Sequence, residues 1–317
     1  KLYKQLAPGT KWKYMGIFNF LAPVFVLSFY CVVGGWTVKY LVGSLTFSTV
    51  ESAQLETAFK TFISSGGSVI YTLIFLIMTA AIVIFGIQKG IEKVSKVLIP
   101  ILFILVVVIA IYNIFLPGSG AGYDYLLKPD FSKVTGRTFA AALGQAFFSL
   151  SLGCGTVMTY ASYSSKNVNI MKMSVGTVVS DTLFALMAGC AIIPAVFAYG
   201  LNVQEGPGLV FITLPNVFNQ MPAGNIVAIV FFFILLLAAL TSSISLFEVV
   251  ATVAIEKFKI TRSKAVAVSV LFFVILSTLC SLSEGALSNV KLFGMTIFDF
   301  ADYINKLVNK IKNLVPK

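Results

Sequence analysis

No histidine occurs among the 317 residues, and only 12 of them are Asp or Glu. The missing histidine excludes a Ser-His-Asp triad, a Cys-His pair and a histidine-ligated metal. The four cysteines lack a C-x-x-C spacing and lie in or beside apolar stretches, which is typical of small buried hydrophobes. The sequence also has no glycine-rich phosphate loop and no paired carboxylates. We therefore expect no enzyme and no cofactor.

Charge of either sign is scarce, whereas apolar residues are abundant. Charged residues make up 11% of the chain and hydrophobic residues 58%, with a mean hydropathy of +0.95. Soluble globular domains contain about 25% charged and about 45–50% apolar residues. The net charge of +11 does not indicate nucleic acid, because the basic residues form short clusters between apolar runs. The composition predicts an all-α, polytopic integral membrane protein.

Seven apolar stretches meet or approach the roughly 20 residues that a membrane-spanning helix needs. They cover residues 14–43, 67–87, 97–116, 138–163, 174–200, 225–255 and 265–283. We predict about seven transmembrane helices in a single transmembrane domain, residues 1–317.

Lysine and arginine predict the orientation of these spans. Thirteen of the 23 basic residues lie in the segments 1–13, 89–96, 166–172 and 257–264, which all fall on one side of the membrane. Basic residues are concentrated on the cytoplasmic side of membrane proteins. The N-terminus is therefore predicted to be cytoplasmic, and the first span to run outward.

The end of the chain is ambiguous. Residues 297–315 combine apolar residues at helical spacing with lysines, a pattern typical of a basic amphipathic helix in the membrane interface. An odd number of spans would place those lysines outside. The alternatives are an interrupted eighth span or a chain that is not complete.

The fourth stretch contains two glycines, Gly153 and Gly155, in its middle. Each weakens a helix by about 1 kcal/mol relative to Ala, and Ser149, Ser151 and Thr156 offer hydroxyls beside them. Unwound backbone inside a membrane is tolerated where it lines a cavity or is buried in protein. The pattern predicts a broken helix with an ion or carboxylate site between its halves. A close helix crossing is the alternative.

The sixth stretch carries a polar stripe at helical spacing. Its members are Ala238, Thr241, Ser242, Ser245 and Glu248. Hydroxyl and carbonyl oxygens are hard ligands that suit Na⁺. The alternative is that the hydroxyls bond back to their own helix or to a neighbouring one.

Asp181 lies in the middle of the fifth stretch. An aspartate at that depth costs about 2.5–3.5 kcal/mol on insertion scales, so it should face a cation, a proton path or a polar partner. Glu248 and Glu256 lie nearer the cytoplasmic end, where we expect solvated acids. Together these features favour reversible binding of a small cation and a small polar solute, which is transport.

Two long motifs identify a family resemblance. The stretches GQAFFSLSLGCGTVMTYASY (144–163) and AALTSSISLFE (238–248) resemble the bacterial branch of the sodium:neurotransmitter symporter family. Three further stretches agree in the same order: FYCVVGGWTVKYLVGSL (29–45), GIQKGIEKVSKVLIPILF (86–103) and GPGLVFITLPNVF (206–218). The resemblance covers nearly the whole chain.

The resemblance implies part of an inverted-repeat, leucine-transporter-like fold. Family members have eleven or twelve transmembrane helices. This chain resembles the third to ninth and the start of the tenth, so the first two and those after the ninth would be largely missing. It also implies a bacterial plasma membrane location.

The resemblance assigns site residues position by position. Substrate contacts would come from Tyr30, Phe148, Ser149, Ser151, Cys154, Ser242 and Leu246, with Tyr30 holding a carboxylate and Phe148 forming a lid. Na⁺ ligands would come from Ser149 and Asp181 at a first site, and from Ala238, Thr241 and Ser242 at a second. Gating positions would be Gln145, Phe148 and Asp302 outside, and Tyr163 and Glu256 inside.

The sequence thus predicts sodium-coupled symport of an amino acid or related small zwitterion by alternating access. Its partners would be that solute, Na⁺ as coupling ion and the lipid bilayer. The carboxylate of Asp181 resembles that of chloride-independent bacterial members. The alternatives are a non-transporting truncated membrane fragment or scaffold and, less expected, a channel.

Overall fold

The computed structural model describes residues 15–44, 52–85, 92–152, 155–164, 168–200, 207–221 and 223–303, and its regular structure there is helical. The first helices are α1 (Met15–Gly43), α2 (Ser52–Ser64), α3 (Gly66–Ile84), α4 (Glu92–Ile114), α5 (Gly120–Leu127), α6 (Gly136–Ser149) and α7 (Thr156–Tyr163). They are followed by α8 (Ile170–Ala198), α9 (Leu214–Gln220), α10 (Gly224–Phe258), α11 (Arg262–Leu282) and α12, of which residues 297–303 are described.

Five of these helices are long and apolar enough to cross a membrane: α1, α3, α8, α10 and α11. They coincide with five of the predicted spans. The third predicted span is α4, whose apolar part is Ile99–Ile114, and the fourth is divided between α6 and α7. The predicted all-α membrane architecture with one interrupted helix is confirmed. Most of the tail interpreted as an amphipathic helix lies outside the described residues.

The hydrophobic core lies between α1, α3, α10 and α11, which pack against one another. The first two approach unusually closely, because a Cβ on Gly35 would lie 2.5 Å from the backbone nitrogen of Thr72. Only a residue without a side chain permits this backbone contact. These four helices therefore form a tightly packed body.

Trp36 links α1, α3 and α11 at one end of this body. Its indole nitrogen donates to Ser68 Oγ in α3 at 3.0 Å, and the Ser281 hydroxyl of α11 donates to the same oxygen at 3.0 Å. The Trp36 ring also stacks on Phe298 and meets Phe211 edge to face. A buried Trp that satisfies its N–H in this way contributes both apolar area and a fixed orientation.

Three helices lie at the side of the four-helix body. α4 and α5 both pack against α8, and α4 also contacts α10. A small buried cluster, formed by Val106, Ala191 and Ile234, lies between α4, α8 and α10. No residue of α6 is buried, and in α7 the buried residue is Thr156. The halves of the broken helix consequently lie at the surface of the described structure.

Candidate ion and substrate site

The predicted interruption lies between Ser149 and Thr156. The regular helical hydrogen bonds of α6 end with the bond from Leu150 N–H to the Ala146 carbonyl. Ser151 then adopts a positive φ of 52°. Gly155, at φ 75°, precedes α7, and a Cβ there would lie 3.0 Å from the Asn19 carbonyl oxygen. Both the positive φ and the close approach to Asn19 require glycine at position 155. Gly153 and Cys154 lie outside the described residues.

The end of α6 meets the intramembrane carboxylate of α8. Ser149 Oγ donates a hydrogen bond of 2.6 Å to Asp181 Oδ1. Helix α6 ends at Ser149, so its hydroxyl lies where the backbone ladder opens. This contact brings together the two residues assigned from the resemblance to a first sodium site. Their oxygens form an anionic, hard-ligand pair.

The polar stripe of α10 makes bonds within its helix and to two neighbours. Thr241 Oγ1 donates to the Ala238 carbonyl at 2.9 Å, and Ser245 Oγ to the Thr241 carbonyl at 3.1 Å. The Tyr160 hydroxyl of α7 lies 2.9 Å from Ser245 Oγ. From α1, the Tyr30 side chain faces Ser242 and interacts with it. The stripe therefore faces α7 and α1, and the back-bonded hydroxyls considered from the sequence are present.

Glu248 contradicts the expectation of a solvated acid. Its side chain is 0% exposed. Arg262 Nη2 donates to Glu248 Oε2 at 2.5 Å, and Arg262 Nη1 donates to Oε1 at 3.0 Å. Arg262 Nε and Nη2 also donate to the carbonyl of Val83 at the end of α3. The expectation failed because the chain turns back after α10. The turn brings the guanidinium of Arg262, at the start of α11, next to Glu248. A buried carboxylate persists when it is paired in this way.

Tyr163, at the end of α7, joins this cluster. Its hydroxyl donates to Glu248 Oε1 at 3.2 Å and lies 3.0 Å from Thr252 Oγ1, which bonds to the same carboxylate oxygen at 3.3 Å. Glu256, the predicted inner gate residue, is exposed and makes no ion pair with another described residue. Sequence reasoning thus missed Arg262 and the pairing of Glu248. Their signal was an acid on the polar stripe followed by an arginine at the start of the next helix.

The remaining predicted positions are spread along the site. Phe148 is 42% exposed beside Ser149, and Gln145 is exposed one turn earlier in α6. Leu246 is buried in the core between the main helices, whereas Ser151 and Asp302 are half-buried.

Fold and site together define an integral membrane protein in which a discontinuous helix offers oxygen ligands next to the polar stripe of a long apolar helix. The chain belongs to the sodium:neurotransmitter symporter family, whose sequence profile matches residues 47–312.

Two bacterial relatives are named as sodium-dependent transporters. An uncharacterized sodium-dependent transporter of Haemophilus influenzae is 39% identical over 301 residues, 92% of this chain and 66% of that protein. The uncharacterized sodium-dependent transporter YhdH of Bacillus subtilis is also 39% identical, over 95% of this chain and 67% of its own length. The chain therefore spans about two thirds of the length of the curated relatives it matches.

A solved structure shares the fold. The crystal structure of MhsT in complex with L-phenylalanine has a TM-score of 0.89 and 38% sequence identity. The match covers 97% of this chain and 71% of the MhsT chain.

Proposed function

We propose that the protein carries out sodium-coupled symport of an amino acid or related small zwitterion across the bacterial plasma membrane by alternating access. The observation that carries the proposal is the hydrogen bond between Ser149 and Asp181. It places a carboxylate against the open end of a broken helix, where bare backbone and a negative charge can bind a cation. Membership of a sodium-symporter family supports the same conclusion.

Two groups of oxygen atoms are proposed as Na⁺ ligands. The first consists of the Ser149 hydroxyl and the Asp181 carboxylate; the second of the Ala238 carbonyl and the Thr241 and Ser242 hydroxyls. The Thr241 hydroxyl donates to the Ala238 carbonyl in this structure. Na⁺ binding would replace that bond, because both oxygens would turn their lone pairs towards the ion. A hydroxyl that only donates within its helix loses little by this exchange.

The substrate is proposed to bind between α1, the broken helix and α10. Tyr30 supplies a hydroxyl for a carboxylate, and its position facing Ser242 places it beside the second group of sodium ligands. Phe148, exposed beside Ser149, provides an aromatic surface over the site. Ser151, Cys154 and Leu246 complete the proposed contacts. The amino-acid class is supported by the neighbour MhsT, which was solved with L-phenylalanine.

Asp181 leads us to propose that chloride is not required. Its carboxylate places a fixed negative charge beside the first group of sodium ligands. A fixed charge performs the electrostatic role that a bound anion would otherwise perform near a cation. Replacing chloride by gluconate should leave substrate binding unchanged.

The cluster around Glu248 is proposed as the closed inner end of the permeation path. Tyr163 belongs to the broken helix, whereas Glu248 and Arg262 belong to the packed body. Inward release then requires Tyr163 to leave Glu248, while the Arg262 pair keeps the acid neutralised. Na⁺ would favour the outward-facing state through its differential affinity for the two states. Gln145 and Asp302 are proposed as outer gate positions, and Glu256 as a second inner one.

The experiment that tests the function compares the neighbouring serines of α10. Purified complete protein is screened by scintillation-proximity binding against an amino-acid panel in Na⁺ and in K⁺. Ser242→Ala and Thr241→Ala should weaken Na⁺-dependent binding by about tenfold or more, since a contact with a charged partner is worth about 1.5–3 kcal/mol.

Ser243→Ala is the matched control for this experiment. The Ser243 hydroxyl points away from the site and lies 2.9 Å from Thr79 Oγ1 of α3. Its loss should lower stability by about 1 kcal/mol and leave the Na⁺ dependence intact. Equal binding of every panel member in Na⁺ and K⁺ by the wild-type protein would overturn the proposed function.

A further inference from the structure

Ser245 belongs to the polar stripe of α10 but has no part in the proposed ion and substrate contacts. Its hydroxyl donates to the Thr241 carbonyl at 3.1 Å. A serine hydroxyl has a single proton, so the Ser245 oxygen can only accept from the Tyr160 hydroxyl, which lies 2.9 Å away. Tyr160 of α7 is therefore the donor in this contact. Ser245 thus links the second half of the broken helix to a residue of the second group of sodium ligands.

The contact of Tyr160 lies one turn before the cluster around Glu248. Tyr160 and Tyr163 are three residues apart in α7, and their hydroxyls meet α10 at Ser245 and Glu248, which are also three residues apart. Residues at this spacing share one face of a helix. Helix α7 therefore lies along α10 in the same direction, joined to it by two tyrosine hydroxyls. The hydroxyl of Tyr160 meets α10 between the second group of sodium ligands and the proposed inner end.

Val249 is covered by the start of α7. Its side chain is 3% exposed, and a Cβ on Gly155 would lie 3.3 Å from Val249 Cγ1. Gly155 immediately precedes α7. A side chain at position 249 therefore stays inaccessible while α7 lies on α10, and becomes accessible when the two helices separate.

We infer that Tyr160 and Ser245 are positioning residues for alternating access, whose hydrogen bond holds α7 on α10 in the outward-facing state. The inference rests on the proposed function, in which Na⁺ favours that state. Inward release separates α7 from α10, so it breaks this bond as well as that of Tyr163. A contact made only in the state that Na⁺ favours contributes to the apparent affinity for Na⁺, because the two equilibria are linked.

The test follows the reactivity of a thiol at position 249. Val249→Cys is introduced into the complete protein, purified in detergent, and its rate of labelling by a maleimide is measured in Na⁺ and in K⁺. Addition of Tyr160→Phe or of Ser245→Ala should raise the rate in K⁺ by about fivefold, since each removes one net hydrogen bond from the closed state. Each should also raise the Na⁺ concentration that gives half-maximal protection.

A double variant distinguishes this bond from a general loosening of the helices. Tyr160→Phe combined with Ser245→Ala should label no faster than the faster single variant, because both changes remove the same bond. Multiplication of the two effects would contradict the inference. The wild-type protein, labelled in parallel, gives the background from the native cysteines.

Tyr123→Phe is the matched control, because it removes a tyrosine hydroxyl outside the broken helix. The Tyr123 hydroxyl donates to the Ala110 carbonyl of α4 at 3.3 Å. This variant should label as Val249→Cys alone does, in both Na⁺ and K⁺. A rate raised as much as by Tyr160→Phe would show that the effect is not specific to the contact with α10, and would overturn the inference.

The same measurement separates failure of the inference from failure of the proposed function. Labelling of Val249→Cys that Na⁺ slows equally, with and without Tyr160→Phe and Ser245→Ala, would overturn the inference and leave the sodium-coupled function intact. Labelling at the same rate in Na⁺ and K⁺ by Val249→Cys alone would contradict the proposed function, and the inference with it.

Discussion

Single residues of the same type have different roles in this protein according to the helix face on which they lie. Ser242 faces Tyr30 and the proposed ion site, whereas the next residue, Ser243, is buried against Thr79 of α3. Successive residues of a helix are about 100° apart, so neighbours in sequence meet different partners. Composition alone cannot separate two such serines, but their helical spacing can.

Glu284 provides a pH prediction at the residue scale. It lies just beyond α11, and burial raises the pKa of this carboxyl above its ordinary value of 4.5; the charge of Asp299 raises it further, whereas Lys291 and a hydrogen bond with Thr296 lower it. The folded state therefore holds the proton more tightly than the unfolded chain. The contribution of Glu284 to the free energy of unfolding should be fully present below pH 4.5 and be lost as pH rises through the raised pKa.

The measurement is the thermal unfolding midpoint of Glu284→Gln and wild type as a function of pH. In Glu284→Gln the pH-dependent fall in stability should be absent, and the variant should be more stable than wild type at neutral pH. Asp130→Asn is the control with the opposite sign, because hydrogen bonding to Ser132 and the nearby Lys133 lower the pKa of Asp130. A steeper loss of stability with rising pH in Glu284→Gln would contradict the assignment.

At the scale of elements, the hairpin of α10 and α11 buries an ion pair. Glu248 and Arg262 are neighbours only because the chain turns back between Phe258 and Arg262. Arg262→Met should destabilise the protein by about 3–5 kcal/mol, since it leaves the buried Glu248 carboxylate without its partner. Glu248→Gln should cost less, because the Arg262 side chain is 27% exposed and water can solvate its charge. The double variant should recover part of this loss.

Thermal unfolding of the four proteins in this double-mutant cycle gives the coupling energy. Lys257→Met, which removes an exposed charge at the end of α10, serves as the control and should be within about 0.5 kcal/mol of wild type. Additive effects of Glu248→Gln and Arg262→Met would show that the contact contributes nothing to stability.

The sequence predicted elements better than contacts between them. The membrane-spanning helices follow from the length of the apolar runs, because a helix in lipid must satisfy its own backbone and cover it with apolar side chains. The interruption after Ser149 followed from Gly153 and Gly155. The Glu248–Arg262 pair and the bond from Asn113 to α8 did not follow, because both depend on how separate helices pack.

At the scale of the whole molecule, orientation in the membrane remains a prediction. Lys133 lies just before α6, the first half of the broken helix, and Lys259 follows α10 at the end where Tyr163 meets Glu248. In intact cells a membrane-impermeant thiol reagent should label Lys133→Cys, and it should label Lys259→Cys only after permeabilisation. The wild-type protein reports the background from its native cysteines, of which Cys31 and Cys280 are buried. The reverse pattern would place the N-terminus outside.

Helix α8 carries both the carboxylate of the proposed ion site and, near its C-terminal end, a proline. Asp181 and Pro194 lie thirteen residues apart on it, which corresponds to an arm of about 20 Å at 1.5 Å per residue. A turn of about 6° at Pro194 would therefore displace Asp181 by about 2 Å. The 2.6 Å hydrogen bond from Ser149 could not persist through such a displacement. Asn113 Nδ2 donates to the carbonyls of Cys190 and Ala191 beside Pro194, so its bonds would resist such a rotation where it begins.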